Sequence, residues 1–276
     1  MNGWRDALRA ATVCLGLTAA GGKVAAQEPE PLADNSFLIE EAYNQNPGVV
    51  QEINAFARSS GGADWVYTFT QEWPVGGMRH QLSYTIDVEH HAAFHSTGFG
   101  DGLINYRYQA VGMRGGPVFV APRLTAVLPT GQPASGRGSG AFGLQANLPV
   151  TVVLSPKIST HWNAGLTLLP STESPTGAHA TTTSLNAGAS VIWLVRPLFN
   201  LIVEGVWLND ENVIAPSATE RQTSAFVNPG FRWGFNLRGG LQIVTGVAYT
   251  VSLNDANPDG LFLYLSFEHP FRRLRE

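Results

Sequence analysis

A chain of 276 residues can form one large domain or two ordinary ones, and only 14% of its residues are charged, against 44% hydrophobic. Mean hydropathy is near zero, and beyond the N-terminus no apolar run reaches the ~18 residues that a membrane-crossing helix requires. A net charge of -4 and a pI of about 6.0 give no sign of a nucleic-acid partner.

In chain order, residues 1–26 read as a signal peptide. Arg5 and Arg9 supply the basic start, an Ala/Leu/Val run reaches Ala20, and Val24-Ala25-Ala26 is a small-residue cleavage site. Cys14, the only cysteine, falls inside it, so a mature chain starting at Gln27 has neither a disulfide nor thiol chemistry. Gln27 to Asp34 is a Pro- and Glu-rich leader. Asn35 or Ser36 is placed to cap a short helix from Phe37 to Asn44, with Glu40 and Glu41 in its early turns, where the helix dipole favours acids.

The stretch from Gly98 to Gly131 sets the pattern for the rest. Ile104, Tyr106, Tyr108 and Ala110 fall on one face of an extended arm; Asp101, Asn105, Arg107 and Gln109 fall on the other. After Met113-Arg114-Gly115-Gly116, a second arm sets Val118, Val120, Leu124, Ala126 and Leu128 against Arg123 and Thr125. Both arms exceed the usual five or six residues of a soluble strand. Long alternating arms with aromatic residues near the ends of the apolar face describe a transmembrane β-barrel with lipid outside and polar contents inside. The alternative is a soluble sandwich or lipocalin-like barrel, with the apolar face turned inward.

The same rule carried along the chain predicts an antiparallel up-and-down barrel of about twelve strands over residues 48–271. The strands fall near 49–58, 63–74, 79–89, 99–112, 117–129, 139–154, 157–169, 180–195, 198–208, 221–237, 240–252 and 260–269, followed by a basic tail, 272–276. Short connections, such as Ser155-Pro156-Lys157 and Arg196-Pro197, alternate with longer ones, such as Thr130 to Gly138 and Asn209 to Glu220; this is the rhythm of periplasmic turns and external loops. Residues 27–47 then sit at the periplasmic mouth or in the lumen. With that orientation, Trp73, Tyr106, Tyr108, Trp193, Trp233 and Phe267 make one aromatic girdle, and Trp65, Trp207 and Tyr249 the other. The last strand, from Gly260 to Phe267, resembles the signal read by the outer-membrane insertion machinery. That machinery and outer-membrane lipids are the expected partners, with a small-molecule solute; nothing fixes an oligomeric state.

On the wet face, Arg107, Arg123, Glu204 and Arg232 sit away from the strand ends and are the candidate constriction; Glu72, Asp87, Asp101 and Glu268 are further lumen charges. Mixed charges either line a water-filled path or pair with one another and close it. His161 reads as a hydrogen-bonded wall residue. His90, His91 and His95 lie on an external loop without the convergence a metal needs, and no cofactor is implied. No nucleophile-elbow motif occurs, which argues against an enzyme. A closed structural or adhesion barrel and an outer-membrane hydrolase remain as alternatives to a channel.

Four segments carry a family resemblance: Asn35 to Val50 (NSFLIEEAYNQNPGVV), Gly98 to Arg107 (GFGDGLINYR), Pro122 to Gly131 (PRLTAVLPTG) and Asn228 to Arg232 (NPGFR). They resemble the meta-pathway phenol-degradation family of outer-membrane β-barrel transporters. The resemblance implies a passive transporter of small molecules, with aromatic or hydrophobic compounds among the candidates, and it brings no functional residue with it.

Overall fold

The computed structural model describes residues 31–254 and 258–271. The expected signal peptide with its cleavage site and the basic tail lie outside the described residues. Fifteen strand segments follow one another: β1 (Val49–Ser59), β2 (Trp65–Pro74), β3 (His80–His91), β4 (Ser96–Phe99), β5 (Gly102–Tyr108), β6 (Val118–Val120), β7 (Arg123–Leu128), β8 (Gly143–Asn147), β9 (Val150–Ser155), β10 (Ile158–Glu173), β11 (His179–Arg196), β12 (Phe199–Ala215), β13 (Ala218–Asn236), β14 (Gln242–Ser252) and β15 (Gly260–Pro270).

Three pairs of segments are single staves with a break. β4 and β5 both pair with β3 on either side of Gly100 and Asp101. Pro122 separates β6 from β7, and Leu148-Pro149 separates β8 from β9. Proline has no N–H to give a ladder, so the sheet is interrupted there while the chain keeps its direction. The result is a closed antiparallel barrel of twelve staves. β1 pairs with β15 from Val49↔Pro270 to Ser59↔Gly260, which seals the cylinder and removes both sheet edges.

Register decides which face is which. Arg107 lies opposite Gln81 and Arg123, Asn105 opposite Ser83 and Thr125, and Ser190 opposite His161 and Glu204; one polar face therefore runs round the inside. The alternate residues, among them Tyr106, Leu124, Leu166, Val203, Trp233 and Leu263, are exposed on the outside. A protein in water buries its apolar face; this one displays it, as a barrel standing in lipid must. All nine expected girdle residues take outward positions: Trp65, Trp73, Tyr106, Tyr108, Trp193, Trp207, Trp233, Tyr249 and Phe267.

Two expectations are corrected. The loop expected from Asn209 to Glu220 is strand: β12 runs to Ala215 and β13 starts at Ala218, with Ser217 at φ 59 in the turn between. Polar residues continue the ladder there. Asn209 donates to Thr223 at 2.8 Å, Thr183 to Glu211 at 2.8 Å and Arg221 to Thr183 at 2.7 Å, so cross-strand pairs hold the sheet together beyond its apolar band. The second correction is the helix from Phe37 to Asn44. Residues 31–48 contain no helix and run as an irregular segment; the groups that capture its backbone instead belong to the barrel wall.

Candidate channel interior and its N-terminal segment

Val49 and Pro270 are paired at one rim, so the chain enters and leaves the barrel on the same side. Before Val49, it folds into the lumen and back. Leu32 N–H donates to Pro197 O at 2.6 Å in the β11–β12 turn, and the return limb is fixed by Asn44 Nδ2 donating to Met78 O at 2.9 Å in the β2–β3 turn. Between those anchors the segment makes no ladder with any strand. A buried backbone without a ladder must be satisfied by side chains, and here it is.

Glu204, 0% exposed on β12, carries the centre. Its Oε1 accepts the backbone N–H groups of Phe37, Leu38 and Ile39 at 3.0, 2.8 and 3.0 Å, while its Oε2 accepts from Asn228 at 2.8 Å. A carboxylate has lone pairs enough for this, and charge-assisted bonds are the stronger kind. Further along, Glu40 N–H goes to Asn163 Oδ1 at 2.8 Å, Ala42 N–H to Thr151 Oγ1 at 2.9 Å, and Asn44 N–H to Gln109 Oε1 at 3.1 Å.

The carbonyls are met in the same way. Arg232 donates to Asn35 O and Ala33 O at 2.5 and 2.6 Å, Asn200 to Ala33 O at 3.0 Å, and Asn163 to Glu40 O at 2.8 Å. His161 bridges Thr151 and Asp34 O, each at 2.7 Å. Arg107 donates to Tyr43 O, to Glu41 O at 3.2 Å and to the Asn44 side chain at 3.0 Å.

Charge follows the same division. Arg107 lies 3.1 Å from Glu40, 3.8 Å from Glu41 and 3.9 Å from Glu72, and Arg123 Nε lies 2.9 Å from the other oxygen of Glu40. Burial alone would raise the Glu40 carboxyl; the two guanidiniums and a hydrogen bond from Asn147 outweigh it and hold the group below its ordinary range. Burial does prevail at Glu41, whose carboxyl is pushed up against the pull of Arg107.

The wall makes room as well as bonds. A Cβ on Gly246 would stand 2.5 Å from the Phe37 ring, and one on Gly188 would stand 2.4 Å from Ile39 Cδ1. Phe37 packs against Phe262 and Tyr264 with ring centroids 5.4 and 5.6 Å apart, beside Leu32, Val244 and Ala248.

The four candidate constriction residues thus all touch the segment: Arg107, Arg123, Glu204 and Arg232. Glu72 joins through Arg107 and Gln81. Asp87 faces inward on β3 opposite Thr68, and Glu268 faces inward on β15 opposite Gln51 and Gln242. Asp101 lies between β4 and β5 and braces the loop after β7, accepting from Gly131 N–H at 3.1 Å and Ser139 N–H at 2.7 Å. Asn163, Asn200, Asn228, Gln81 and Thr151 escaped the sequence reading, and Gln109 entered it only as a residue of the polar face. Their signal was an inward face richer in amide side chains, each both donor and acceptor, than a plain water-filled wall needs. The strands also bring Ser171 Oγ within 3.5 Å of His179 Nδ1, an exposed contact at the far end of the β10–β11 hairpin.

Seated in this way, the segment divides the lumen. A cavity of about 290 Å³ lies on the side of β8, β10, β11 and β12, lined by Arg123, Gln145, Asn163, Thr167 and Asp210. Another of about 220 Å³ lies on the side of β1 to β5, lined by Thr70, Glu72, Thr85, Asn105 and Arg107.

Comparison with known proteins agrees with this architecture. The COG4313 outer membrane channel from Pseudomonas putida F1 is similar over 83% of this chain and 97% of its own, with a TM-score of 0.61 and 11% identity. The NanC porin is similar over 80% of this chain and 98% of its own, with a TM-score of 0.53 and 6% identity. At these identities the likeness is one of fold. Among curated proteins, none matches the sequence. The family model described as "Putative MetA-pathway of phenol degradation" matches residues 37–262, from the lumen segment to the last strand, and the chain belongs to that family.

Proposed function

We propose that the protein is an outer-membrane channel giving passive passage to small molecules, and that residues 31–48 set the width of its bore. The observation that carries this reading is the inward-folded segment, which joins no sheet ladder and whose central stretch is held by side chains of the wall. Covalent continuity fixes it only at Val49, so it can leave without breaking the barrel's ladders. The structural neighbours described as a channel and a porin support the reading at the level of fold, and the family description favours aromatic or hydrophobic compounds among the solutes.

Arg107, Arg123, Glu204 and Arg232 form the constriction in this reading, through their hold on the segment. The inward pairing of these charges also favours a second reading, a barrel closed for structural purposes. Single-channel conductance in a planar bilayer separates the two, comparing the mature chain with a form lacking Gln27 to Pro47. A channel gives discrete steps, at least twofold larger in the shortened form. Silence from both, with the barrel shown to be folded, leaves the closed reading.

A further inference from the structure

The tip of the lumen segment meets a third cavity, unlike the other two. It has a volume of about 320 Å³ and lies at the rim opposite the chain's entry, between the ends of β1, β13, β14 and β15 and the start of β2. Leu38, Ala57, Val66, Phe226, Phe262 and Pro258 line it.

By register, Ala57 lies opposite Phe262 and Val66, and Val66 opposite Glu89, so these side chains share the inward face; they are not stray lipid-facing groups. The polar groups at its edge are turned to partners of their own. Thr250 donates to Asn228 Oδ1 at 2.9 Å, Asp64 Oδ1 accepts Ala92 N–H at 2.6 Å, and Ser59 Oγ donates to Asp64 O at 3.3 Å. Arg58 lies opposite Trp65 and Leu261, on the outward face.

A water-filled mouth has no use for an apolar hollow, since each Å² of apolar surface left in water costs about 25 cal/mol. Lower in the lumen, the segment itself covers the apolar wall, with Phe37 and Leu32 packed against Phe262, Tyr264 and Val244. Above it no described residue does: Leu38 is 40% exposed, the one large apolar side chain of residues 31–48 in that state.

We infer that this hollow is a binding site for small uncharged apolar molecules, of the size of a substituted benzene ring, taken up at the outer mouth before they pass the segment. A cavity of roughly 150 Å³ with aliphatic and phenyl lining takes up benzene, so one of about 320 Å³ has room for a ring with substituents. Phe226 and Phe262 contribute aromatic carbon to the wall, and the one cation on its border, Arg58, sits on the outward face while the Asp64 carboxylate accepts Ala92 N–H. Because Leu38 forms the floor, an occupant touches the residue whose backbone N–H is held by Glu204. The inference rests on the channel reading for its direction of transport, although not for binding itself.

Cysteine protection tests it. The mature chain from Gln27 carries no cysteine of its own, so Ala57→Cys places a single thiol in the hollow and Thr167→Cys places one in the polar cavity across the lumen. Alkylation by iodoacetamide is followed by mass, for the full mature chain in lipid nanodiscs, with toluene or benzoate added. The expected result is that toluene slows alkylation at 57 by at least fivefold and leaves 167 unchanged, while benzoate protects neither. Equal slowing at both positions, no slowing at 57, or equal protection by benzoate overturns the inference. Conductance of the same preparations keeps the two proposals apart. A conducting protein without protection overturns the hollow alone, and protection in a silent protein overturns the channel alone.

Discussion

Glu204 accepts three consecutive backbone N–H groups, those of Phe37, Leu38 and Ile39, through a single oxygen. Such donors are free at the start of a helix too; the stretch departs from a helix at the next ones, because Glu40 N–H and Ala42 N–H go to Asn163 and Thr151 of the wall and not to carbonyls four residues back. Glu204→Ala leaves those donors buried without a partner, at about 1–3 kcal/mol for each that water does not reach. A net weakening of about 2 kcal/mol shifts the ratio of seated to released segment by roughly thirtyfold. Expected is a channel that opens more often and to a larger step, with the lumen segment cleaved by added protease where the parent resists. Glu204→Gln keeps an acceptor oxygen and gives an intermediate effect. If Glu204→Ala conducts and resists protease as the parent does, Glu204 does not hold the segment.

At the scale of elements, the staves were legible because alternation is a local property. Val203 and Glu204, or Leu124 and Arg123, declare their opposite faces within two residues. The far ends of β12 and β13 were not, because Asn209, Asn212 and Thr223 carry no apolar beat, and only the opposite strand shows that they are paired. The lumen segment lay further from reach. Its local signals, an Asn-Ser cap and two early glutamates, belong to a helix, whereas its conformation is set by wall residues as far as 199 positions away. Gly188 and Gly246 are the wall's matching feature, and they give a prediction for the element as a unit. Gly246→Leu puts a side chain where the Phe37 ring now lies, with Arg232 Cγ 3.1 Å from its Cβ. It should raise conductance in the full mature chain and change little in a chain without residues 27–47, where there is no ring to displace. An increase of similar size in both backgrounds would mean that the substitution distorts the barrel rather than expelling the segment.

For the whole molecule, the deciding property is that the barrel is inside out relative to a protein in water. Every tryptophan among the described residues takes an outward position: Trp65, Trp73, Trp162, Trp193, Trp207 and Trp233. Trp162, Trp193 and Trp233 are each more than half exposed, which no water-facing surface of this size tolerates in such number without association. In a bilayer the same rings meet acyl chains and headgroups, where their amphipathic bodies are favoured. Reconstitution into vesicles whose acyl chains carry bromine should therefore quench most of the intrinsic tryptophan emission, by at least half relative to unbrominated lipid, with the emission maximum on the blue side of that of free tryptophan. The position of bromine along the chain adds a level to the answer. Trp73 and Trp233, near the rim where the chain enters, and Trp207, on the opposite side, should respond most to bromine near the headgroups. Single-tryptophan forms separate these contributions. Emission indifferent to brominated lipid would place these rings away from the bilayer, and with them the apolar outer face on which the membrane-spanning reading depends.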